Sequence, residues 1–268
     1  MSAGLLAIEG VGVRFGGLRA VADLDLSIEP GTIFGLIGPN GAGKTTLFNL
    51  VTGVYRPTEG AIRFGGERID RLRPAQIVAR GIARTFQNIR LFGSMTVREN
   101  VMVACHRTKR TGLARALLRT PAMIAEDRAM ARRADELLEL FGLRALADEP
   151  ADSLPYGSQR RLEIARALML APKLLLLDEP AAGMNSAEAA ELRERIRWLR
   201  DEFRLTVLLV EHNMKVVMGI CERIHVLDHG VTISEGTPAQ VQADPRVVAA
   251  YLGEEAREEP EPSSEAPA

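Results

Sequence analysis

The residues with the clearest chemical potential form a glycine-rich run near the start of the chain. The pattern GxxxxGK[ST] is matched by Gly38-Pro39-Asn40-Gly41-Ala42-Gly43-Lys44-Thr45, and Thr46 follows it. Glycines let the backbone curl so that successive N–H groups face an anion, and a helix beginning near Lys44 adds the positive end of its dipole. The Lys44 ammonium can then reach the outer phosphates of a nucleotide, while the Thr45 hydroxyl can help to hold Mg²⁺. The run predicts a nucleoside triphosphate site, but it does not choose among kinases, GTPases and ATPases.

Two adjacent carboxylates form a second group with chemical potential. Asp178 and Glu179 directly follow the apolar run at residues 174–177. In an open parallel sheet, ligands bind at the carboxyl ends of the strands, so this pair can face the phosphate loop. Asp178 can bind Mg²⁺ directly or through water, and Glu179 can orient or deprotonate an attacking water. A solvated strand end is the alternative for an isolated pair, but the phosphate loop in the same chain favours the chemical role.

Three further residues have a chemical and a plain structural interpretation. His212 follows the apolar run at 206–210 and can place a hydrogen bond on a γ-phosphate or a water, although a lone histidine at a strand end is usually structural. Gln87 follows a predicted strand at 81–86, where its amide can touch Mg²⁺ or water, or simply lie in a loop. Phe15, before two glycines, can stack on an adenine or belong to the core.

The elements that must position these residues alternate along the chain. Buried strands are predicted at 33–37, 174–177 and 206–210, and helices at 44–52, 158–170 and 186–203. Such alternation predicts an α/β fold with a largely parallel sheet. The stretch 97–143 interrupts it with a helical pattern, and we expect a separate helical lobe there. One apolar face of that stretch is formed by Met130, Ala134, Leu137, Leu138 and Phe141.

Composition limits the class of protein. The chain has 268 residues, of which 46% are hydrophobic, and its net charge is −1. This balance gives no global indication of a nucleic-acid or anionic-membrane partner. The two cysteines, Cys105 and Cys221, lack metal-type spacing and are expected to be reduced thiols. Residues 1–9 do not read as a signal peptide, and no apolar run approaches the roughly 18–20 residues needed to cross a bilayer. A role at a membrane would therefore require a partner that holds the chain there.

Taken in order, these motifs resemble those of ABC transporter ATPases. Besides the phosphate loop, Gln87, the Asp178-Glu179 pair and His212, the resemblance rests on Leu154-Pro155-Tyr156-Gly157-Ser158-Gln159-Arg160 and on Ala182-Gly183-Met184-Asn185. Shorter phrases are similar to one branch, the larger ATPase of high-affinity branched-chain amino-acid uptake systems. They are Arg84-Thr85-Phe86-Gln87-Asn88, Glu179-Pro180-Ala181-Ala182-Gly183, Glu211-His212-Asn213-Met214 and Tyr251-Leu252-Gly253.

The resemblance implies a fold and a domain plan. The family fold is a P-loop NTPase with a RecA-like core, a small antiparallel β subdomain and an inserted helical subdomain. Residues 5–253 would form one ABC ATPase domain, with the core and antiparallel part at 5–95, the helical part at 96–157 and the rest of the core at 158–253. Residues 254–268, rich in Glu, Pro, Ser and Ala, are expected to be a disordered acidic tail.

The resemblance also implies residue roles and partners. Phe15 would stack on adenine, Gln87 would sense Mg²⁺ and water, Glu179 would be the catalytic base, and His212 would contact the γ-phosphate. The signature loop at 154–158, through Gly157 and Ser158, would complete the ATP site of a second ABC ATPase subunit in a homodimer or heterodimer. Two transmembrane permease subunits would hold the chain at the cytoplasmic side of the bacterial inner membrane, and a periplasmic solute-binding protein would act indirectly.

The signature loop departs from the usual family sequence LSGGQ. Pro155 stands where a serine hydroxyl would meet the γ-phosphate, and Ser158 stands where glutamine is usual. The Gly157 backbone and the helix that follows can still serve a phosphate. The departure therefore puts the strength of one composite site in doubt.

Three alternatives remain open on the sequence. The chain can serve a related transport system for urea, amides or lipopolysaccharide. A soluble ABC-type ATPase of translation or DNA repair usually has tandem cassettes or a long coiled-coil insertion, and this chain has one phosphate loop and a short insert. A non-hydrolysing nucleotide switch is disfavoured by Glu179 and His212.

Overall fold

The structure of the chain, a computed structural model, describes residues 4–107 and 121–258. Its strands are β1 (Leu6–Phe15), β2 (Leu18–Ile28), β3 (Ile33–Ile37), β4 (Glu59–Phe64), β5 (Glu67–Arg68), β6 (Ile82–Arg84), β7 (Leu174–Asp178), β8 (Thr206–Val210), β9 (Arg223–Asp228) and β10 (Val231–Gly236). Its helices are α1 (Lys44–Val51), α2 (Pro74–Ala79), α3 (Val97–Val103), α4 (Pro121–Leu140), α5 (Tyr156–Leu168), α6 (Ser186–Phe203), α7 (Met214–Ile220), α8 (Pro238–Gln242) and α9 (Pro245–Glu258).

A six-stranded sheet in the order β10-β9-β3-β8-β7-β6 forms the centre of the fold. Its pairs are parallel except for β10, which runs antiparallel to β9. Leu36 pairs with Val210, and Val210 pairs with Asp178, so β3, β8 and β7 end side by side. The loops that follow these strands therefore meet at one edge of the sheet, as the sequence predicts.

The central strands are buried on both faces, which explains their continuous apolar runs. All five residues of β3, β7 and β8 are buried. Side chains such as Ile33, Leu175 and Leu209 point to one face, where they share a core with α5, α6 and α7. Phe34 and Leu176 point to the other face and join a second core with α1.

A smaller antiparallel sheet covers the α1 side of the molecule. Its strand order is β2-β1-β4-β5. The alternating apolar residues of β1 and β2, such as Leu24 and Leu26, enter the second core, while the residues between them are exposed or half-buried. The sheet carries the aromatic Phe15 at the end of β1, next to the phosphate loop.

The helical part packs against the first core. Ala134, Leu137, Leu138 and Phe141 are buried, and Met130 is half-buried against them, which confirms the predicted apolar face. The predicted continuous run 97–143 is divided differently. Helix α3 gives way to a 3-10 turn at Ala104–Arg107, residues 108–120 lie outside the described part of the chain, and α4 begins at Pro121.

Two predicted ends are placed differently by the structure. Helix α5 begins at Tyr156, two residues before the predicted start at 158, because Pro155 supplies an extended N-cap with a ψ of 149°. Helix α9 continues to Glu258, into the predicted tail 254–268. The glutamate and alanine residues at the start of that tail are good helix formers. Positions 259–268 lie outside the described residues. No described helix combines the length and the apolar character needed to cross a bilayer.

Candidate functional site

The phosphate loop lies between β3 and α1 in a conformation that depends on glycine. Gly38, Gly41 and Gly43 have φ angles of 150°, 77° and 103°. A Cβ atom on Gly38 would lie 2.0 Å from the carbonyl oxygen of Leu227, so no larger residue fits there. The first turn of α1 has no side-chain cap, which leaves its N–H groups for a ligand. The loop is thus built as an anion cradle.

Lys44 is the cation of this cradle. Its side chain folds back over the loop, and Nζ donates to the carbonyl oxygens of Gly38 at 2.5 Å and Pro39 at 2.8 Å. The residue is only 9% exposed. A positive charge is therefore fixed above the N–H groups that would receive a phosphate.

The acidic pair lies at the end of β7, where Asp178 is the last residue of the strand and Glu179 follows it. Asp178 is 4% exposed, while the Glu179 side chain is 20% exposed. Glu179 has a φ of 46°, a left-handed conformation that is rare for a residue with a Cβ and is common at functional sites. Its N–H donates to Val210 O at 2.9 Å, so the turn that directs the Glu179 carboxylate away from the strand is tied to β8.

Gln87 and His212 both lie beside the Glu179 carboxylate. Gln87 Nε2 donates to Glu179 Oε2 at 2.7 Å, and His212 Nδ1 lies 3.7 Å from the same oxygen. The Gln87 amide therefore contacts the Glu179 carboxylate directly. The sequence predicts that these three residues lie at one edge of the sheet. It gives no indication of the hydrogen bond between Gln87 and Glu179.

A cavity of about 470 Å³ connects most of the predicted site. Its wall includes Phe15, Asn40, Gly41, Ala42, Gly43, Lys44, Thr45, Thr46, Gln87 and Glu179. The Phe15 ring is 42% exposed and packs edge-on against Tyr55, with the ring centroids 4.9 Å apart. An exposed aromatic face at the end of the phosphate cradle suits a flat base.

The signature residues lie elsewhere on the molecule. Pro155, Gly157 and Ser158 line a separate cavity of about 590 Å³ between α5 and α6, and they do not contribute to the phosphate-loop cavity. Ser158 is 8% exposed and its hydroxyl accepts from Arg161 Nη2 at 3.0 Å. Within one chain, the signature loop and the phosphate loop are therefore not parts of the same pocket.

Comparison with known proteins decides the family. The sequence matches the ABC transporter family over residues 21–182 and the C-terminal family of branched-chain amino acid ATP-binding cassette transporters over residues 231–257. The chain belongs to the ABC transporter ATPases. Within this family it is 48% identical to the high-affinity branched-chain amino acid transport ATP-binding protein LivG of Escherichia coli K12, over 95% of this chain and 100% of LivG. It is 36% identical to the lipopolysaccharide export ATP-binding protein LptB of the same organism, over 94% of this chain and 98% of LptB.

A solved structure of an ABC cassette gives the same result for the fold. The ADP conformation of MJ1267 superposes on this ATPase with a TM-score of 0.80, at 31% identity, covering 93% of this chain and 98% of MJ1267. The predicted fold class is thereby confirmed. The cavity between Phe15 and the phosphate loop is the candidate ATP-binding site of the cassette.

The residues around the cassette's phosphate loop fit a divalent cation that arrives with a nucleotide. No group of three or more His, Cys, Asp or Glu side chains in the described part of the chain can hold a metal by itself. Thr45 lines the cavity, and Asp178 Oδ1 accepts no hydrogen bond from a described residue. Such a sparse protein donor set suits Mg²⁺, which usually keeps water and phosphate oxygens as most of its ligands.

Sequence reasoning missed the residues that hold the ABC site together. Glu211, 1% exposed, accepts hydrogen bonds from the N–H groups of Ala181 at 2.7 Å and Asn213 at 3.0 Å. It thus fixes the loop after the acidic pair to the loop that carries His212. The motif around His212 included Glu211, but only its burial and its contacts give it this positioning role.

Two other missed residues are a histidine and an arginine. His229, to which the sequence gave no role, lies in the turn between β9 and β10 and lines the ATP cavity. Arg160, on α5, is 2% exposed and donates to the carbonyl oxygens of Phe86 at 2.7 Å and Gln87 at 2.9 Å. The signature helix is therefore hydrogen-bonded to the backbone of the residue that contacts Glu179.

Proposed function

We propose that this chain is the ATP-hydrolysing subunit of a transporter that imports branched-chain amino acids. The observation that carries the proposal is the single cavity in which Lys44, Gln87 and Glu179 meet, in a chain that is similar to LivG over 95% of its length. The match at residues 231–257 to a branched-chain amino acid cassette family supports the choice of solute. The likeness to LptB supports lipopolysaccharide export as the second candidate, with a lower identity of 36%.

The predicted catalytic and metal-binding residues each have a role in the proposed reaction. Glu179 accepts the proton of the attacking water, because its carboxylate borders the cavity beside the phosphate cradle. His212 and Gln87, both next to that carboxylate, orient the water and the γ-phosphate. Thr45 and Asp178 would hold Mg²⁺, which would neutralise charge on the phosphates. Catalysis is then mainly positioning and charge stabilisation.

The proposed assembly contains a second ATPase subunit and two permease subunits. Gly157 and Ser158 would complete the ATP site on the partner subunit, since they do not line the phosphate-loop cavity of their own chain. Permease subunits would hold the chain at the cytoplasmic face of the bacterial inner membrane, and a periplasmic solute-binding protein would deliver the amino acid to them.

A Glu179→Gln substitution tests the enzymatic part of the proposal. The variant should bind ATP with unchanged affinity and lose most of its hydrolysis, because an amide cannot accept the proton from water. Phosphate release and binding of a fluorescent ATP analogue measure the two effects. Unchanged turnover would remove Glu179 from the role of base.

Uptake by whole cells tests the solute. Cells whose only copy of the chain carries Glu179→Gln should lose uptake of labelled leucine and keep uptake of labelled urea. Normal leucine uptake together with a defect in the lipopolysaccharide of the outer membrane would instead favour the export system.

A further inference from the structure

A buried arginine pairs with the acidic end of β7, next to the candidate ATP site. Arg84 is the last residue of β6, and its side chain is 9% exposed. Its guanidinium carbon lies over two aromatic rings, 5.2 Å from the centroid of Phe48 and 5.3 Å from that of Phe86. The planar cation is thus held by cation–π contacts as well as by burial.

The guanidinium joins three elements of the site. Arg84 Nη2 donates to Asp178 Oδ2 at 2.7 Å, and Nη1 donates to Asn49 Oδ1 at 2.7 Å. Asp178 ends β7, and Asn49 lies on α1, the helix that begins with Lys44 and Thr45. Arg84 therefore fixes the acidic strand end and the phosphate-loop helix relative to each other.

These contacts leave the two carboxylate oxygens of Asp178 in different surroundings. Oδ2 is occupied by the arginine, with the carboxylate side chain only 5% exposed. Oδ1 accepts no hydrogen bond from a described residue. A guanidinium presents its donors in a rigid fork, so it orients a carboxylate more strictly than a lysine ammonium does.

We propose that Arg84 is a positioning residue for the divalent cation of the ATP site. It holds Asp178 so that Oδ1 is the oxygen offered to Mg²⁺, and Asn49 keeps that oxygen in register with Thr45. This inference deepens the proposed function and rests on it, because it assigns Arg84 a part in the use of Mg²⁺. Removing a residue that hydrogen-bonds to a metal ligand commonly lowers the affinity of the site for its metal.

The competing explanation is an ion pair that only stabilises the fold. The two explanations differ in what Mg²⁺ does for nucleotide binding. A structural ion pair affects nucleotide affinity equally with and without the metal, whereas a positioning residue affects it only when the metal is present. This difference can be measured without any hydrolysis.

The experiment compares Arg84→Gln, Arg84→Lys and Asn49→Ala with the unaltered full-length chain. Binding of a fluorescent ATP analogue is titrated in excess Mg²⁺ and in EDTA, and the Mg²⁺ concentration for half-maximal hydrolysis is measured separately. For Arg84→Gln we expect the half-saturating Mg²⁺ concentration to rise roughly tenfold or more. The affinity in EDTA should stay within about twofold of the parent, while the gain in affinity on adding Mg²⁺ should be largely lost.

The other two variants should change the Mg²⁺ dependence less than Arg84→Gln does, and they keep the test valid if Arg84→Gln does not fold. Arg84→Lys keeps a positive charge but loses the planar set of guanidinium donors. Its gain in nucleotide affinity on adding Mg²⁺ should therefore lie between those of Arg84→Gln and the parent. Asn49→Ala keeps the ion pair and should cause a smaller shift in the same direction. If Arg84→Gln does not fold, as thermal unfolding would show, Arg84→Lys is judged by the same two titrations.

Arg80→Gln is the matched control. Arg80 pairs with Glu67 at 3.0 Å on the surface, away from the cavity, and this variant should match the parent in both titrations. An equal loss of affinity in Mg²⁺ and in EDTA for the Arg84 variants, or no loss in either, would overturn the inference. Failure of the unaltered chain to bind the analogue at all would instead contradict the proposed function.

Discussion

The shape of the phosphate loop depends on the absence of a Cβ atom at Gly38. Its φ of 150° and the 2.0 Å separation that a Cβ would have from Leu227 O leave no room for alanine. Gly38→Ala should lower the free energy of unfolding by roughly 1–3 kcal/mol and abolish ATP binding, because the loop must move to relieve the contact. Urea unfolding and nucleotide titration measure both effects.

Gly65→Ala is the control for backbone strain alone. Gly65 has a φ of 56° in the turn between β4 and β5, and a Cβ there would meet nothing within 4 Å. This substitution should lower the free energy of unfolding by about 1 kcal/mol, and the variant should bind ATP normally. Normal ATP binding by Gly38→Ala would show that the loop adapts and that its shape is not the requirement we infer.

The two cysteines differ in reactivity because they differ in burial. Burial raises the pKa of the Cys221 thiol to about 12, and the neighbouring Glu222 carboxylate adds to the rise. At pH 8 Cys221 therefore has almost no thiolate, the form that reacts. Iodoacetamide should modify half-buried Cys105 first in the native chain and both cysteines in urea, as peptide mass spectrometry would show. Equal rates in the native chain would indicate that Cys221 is more accessible than its place beside Gly35 allows.

The sequence could predict the residues of the site that depend on local patterns. Lys44 and Thr45 follow from the spacing of a short run, and Asp178 and Glu179 follow from the end of a buried strand. The proposed role of Arg84 could not be predicted in this way, because it depends on a hydrogen-bond partner 94 residues away in the chain. The exposed rings of Phe15 and Tyr55 likewise come together from parts of the chain that β2, β3 and α1 separate, so no local pattern predicts their contact.

At the scale of elements, a buried ion pair connects helix α5 to the loop after β6. Arg160 and Glu163 are 2% and 1% exposed and are joined at 3.1 Å. Arg160 donates to the carbonyl oxygens of Phe86 and Gln87, and Glu163 Oε1 accepts from Phe86 N at 3.2 Å. Movement of the signature helix should therefore displace the Gln87 backbone, and with it the amide that contacts Glu179.

A Glu163→Gln substitution tests this connection. It leaves the buried guanidinium of Arg160 without its charged partner, and breaking such a pair costs about 3 kcal/mol or more. Lower stability in urea should be accompanied by a lower kcat, because the Gln87 loop loses its support. The surface substitution Glu194→Gln, on α6 beside Arg197, is the control and should change stability by less than about 0.5 kcal/mol. Unchanged stability and kcat in Glu163→Gln would show that α5 and the Gln87 loop are not connected through this pair.

Element boundaries were predictable only where a local residue sets them. Helix α6 was predicted from 186 to 203, and Asn185 caps it by accepting from the N–H groups of Ala187 and Glu188. The start of α5 was predicted two residues late, because the usual capping side chains are absent and the extended backbone of Pro155 takes their place. Local capping chemistry is visible in a sequence, whereas backbone geometry at an atypical cap is not.

At the scale of the whole molecule, the candidate site lies at the edge of the sheet where the parallel strands β3, β8 and β7 end. The sequence predicts parallel strands from their apolar runs, but it does not give the order β10-β9-β3-β8-β7-β6. That order is decided by which apolar faces fit together, as in the two cores on either side of the sheet. It places β8 between β3 and β7, which is why His212 lies beside Glu179.

The separation of two cavities on this chain predicts association driven by ATP. Gly157 and Ser158 line a cavity that shares no residue with the one around Lys44, so a nucleotide held by one chain can meet a signature loop only from another chain. In the Glu179→Gln background, where ATP persists, the mass in solution should double from 29.2 kDa when ATP and Mg²⁺ are added, and light scattering would show it. Adding Lys44→Ala should keep the mass at one chain, because the phosphates lose their cation. A mass that rises only when a second ATPase subunit is supplied would make the completed site a heterodimer, and a mass that never rises would contradict a site completed between chains.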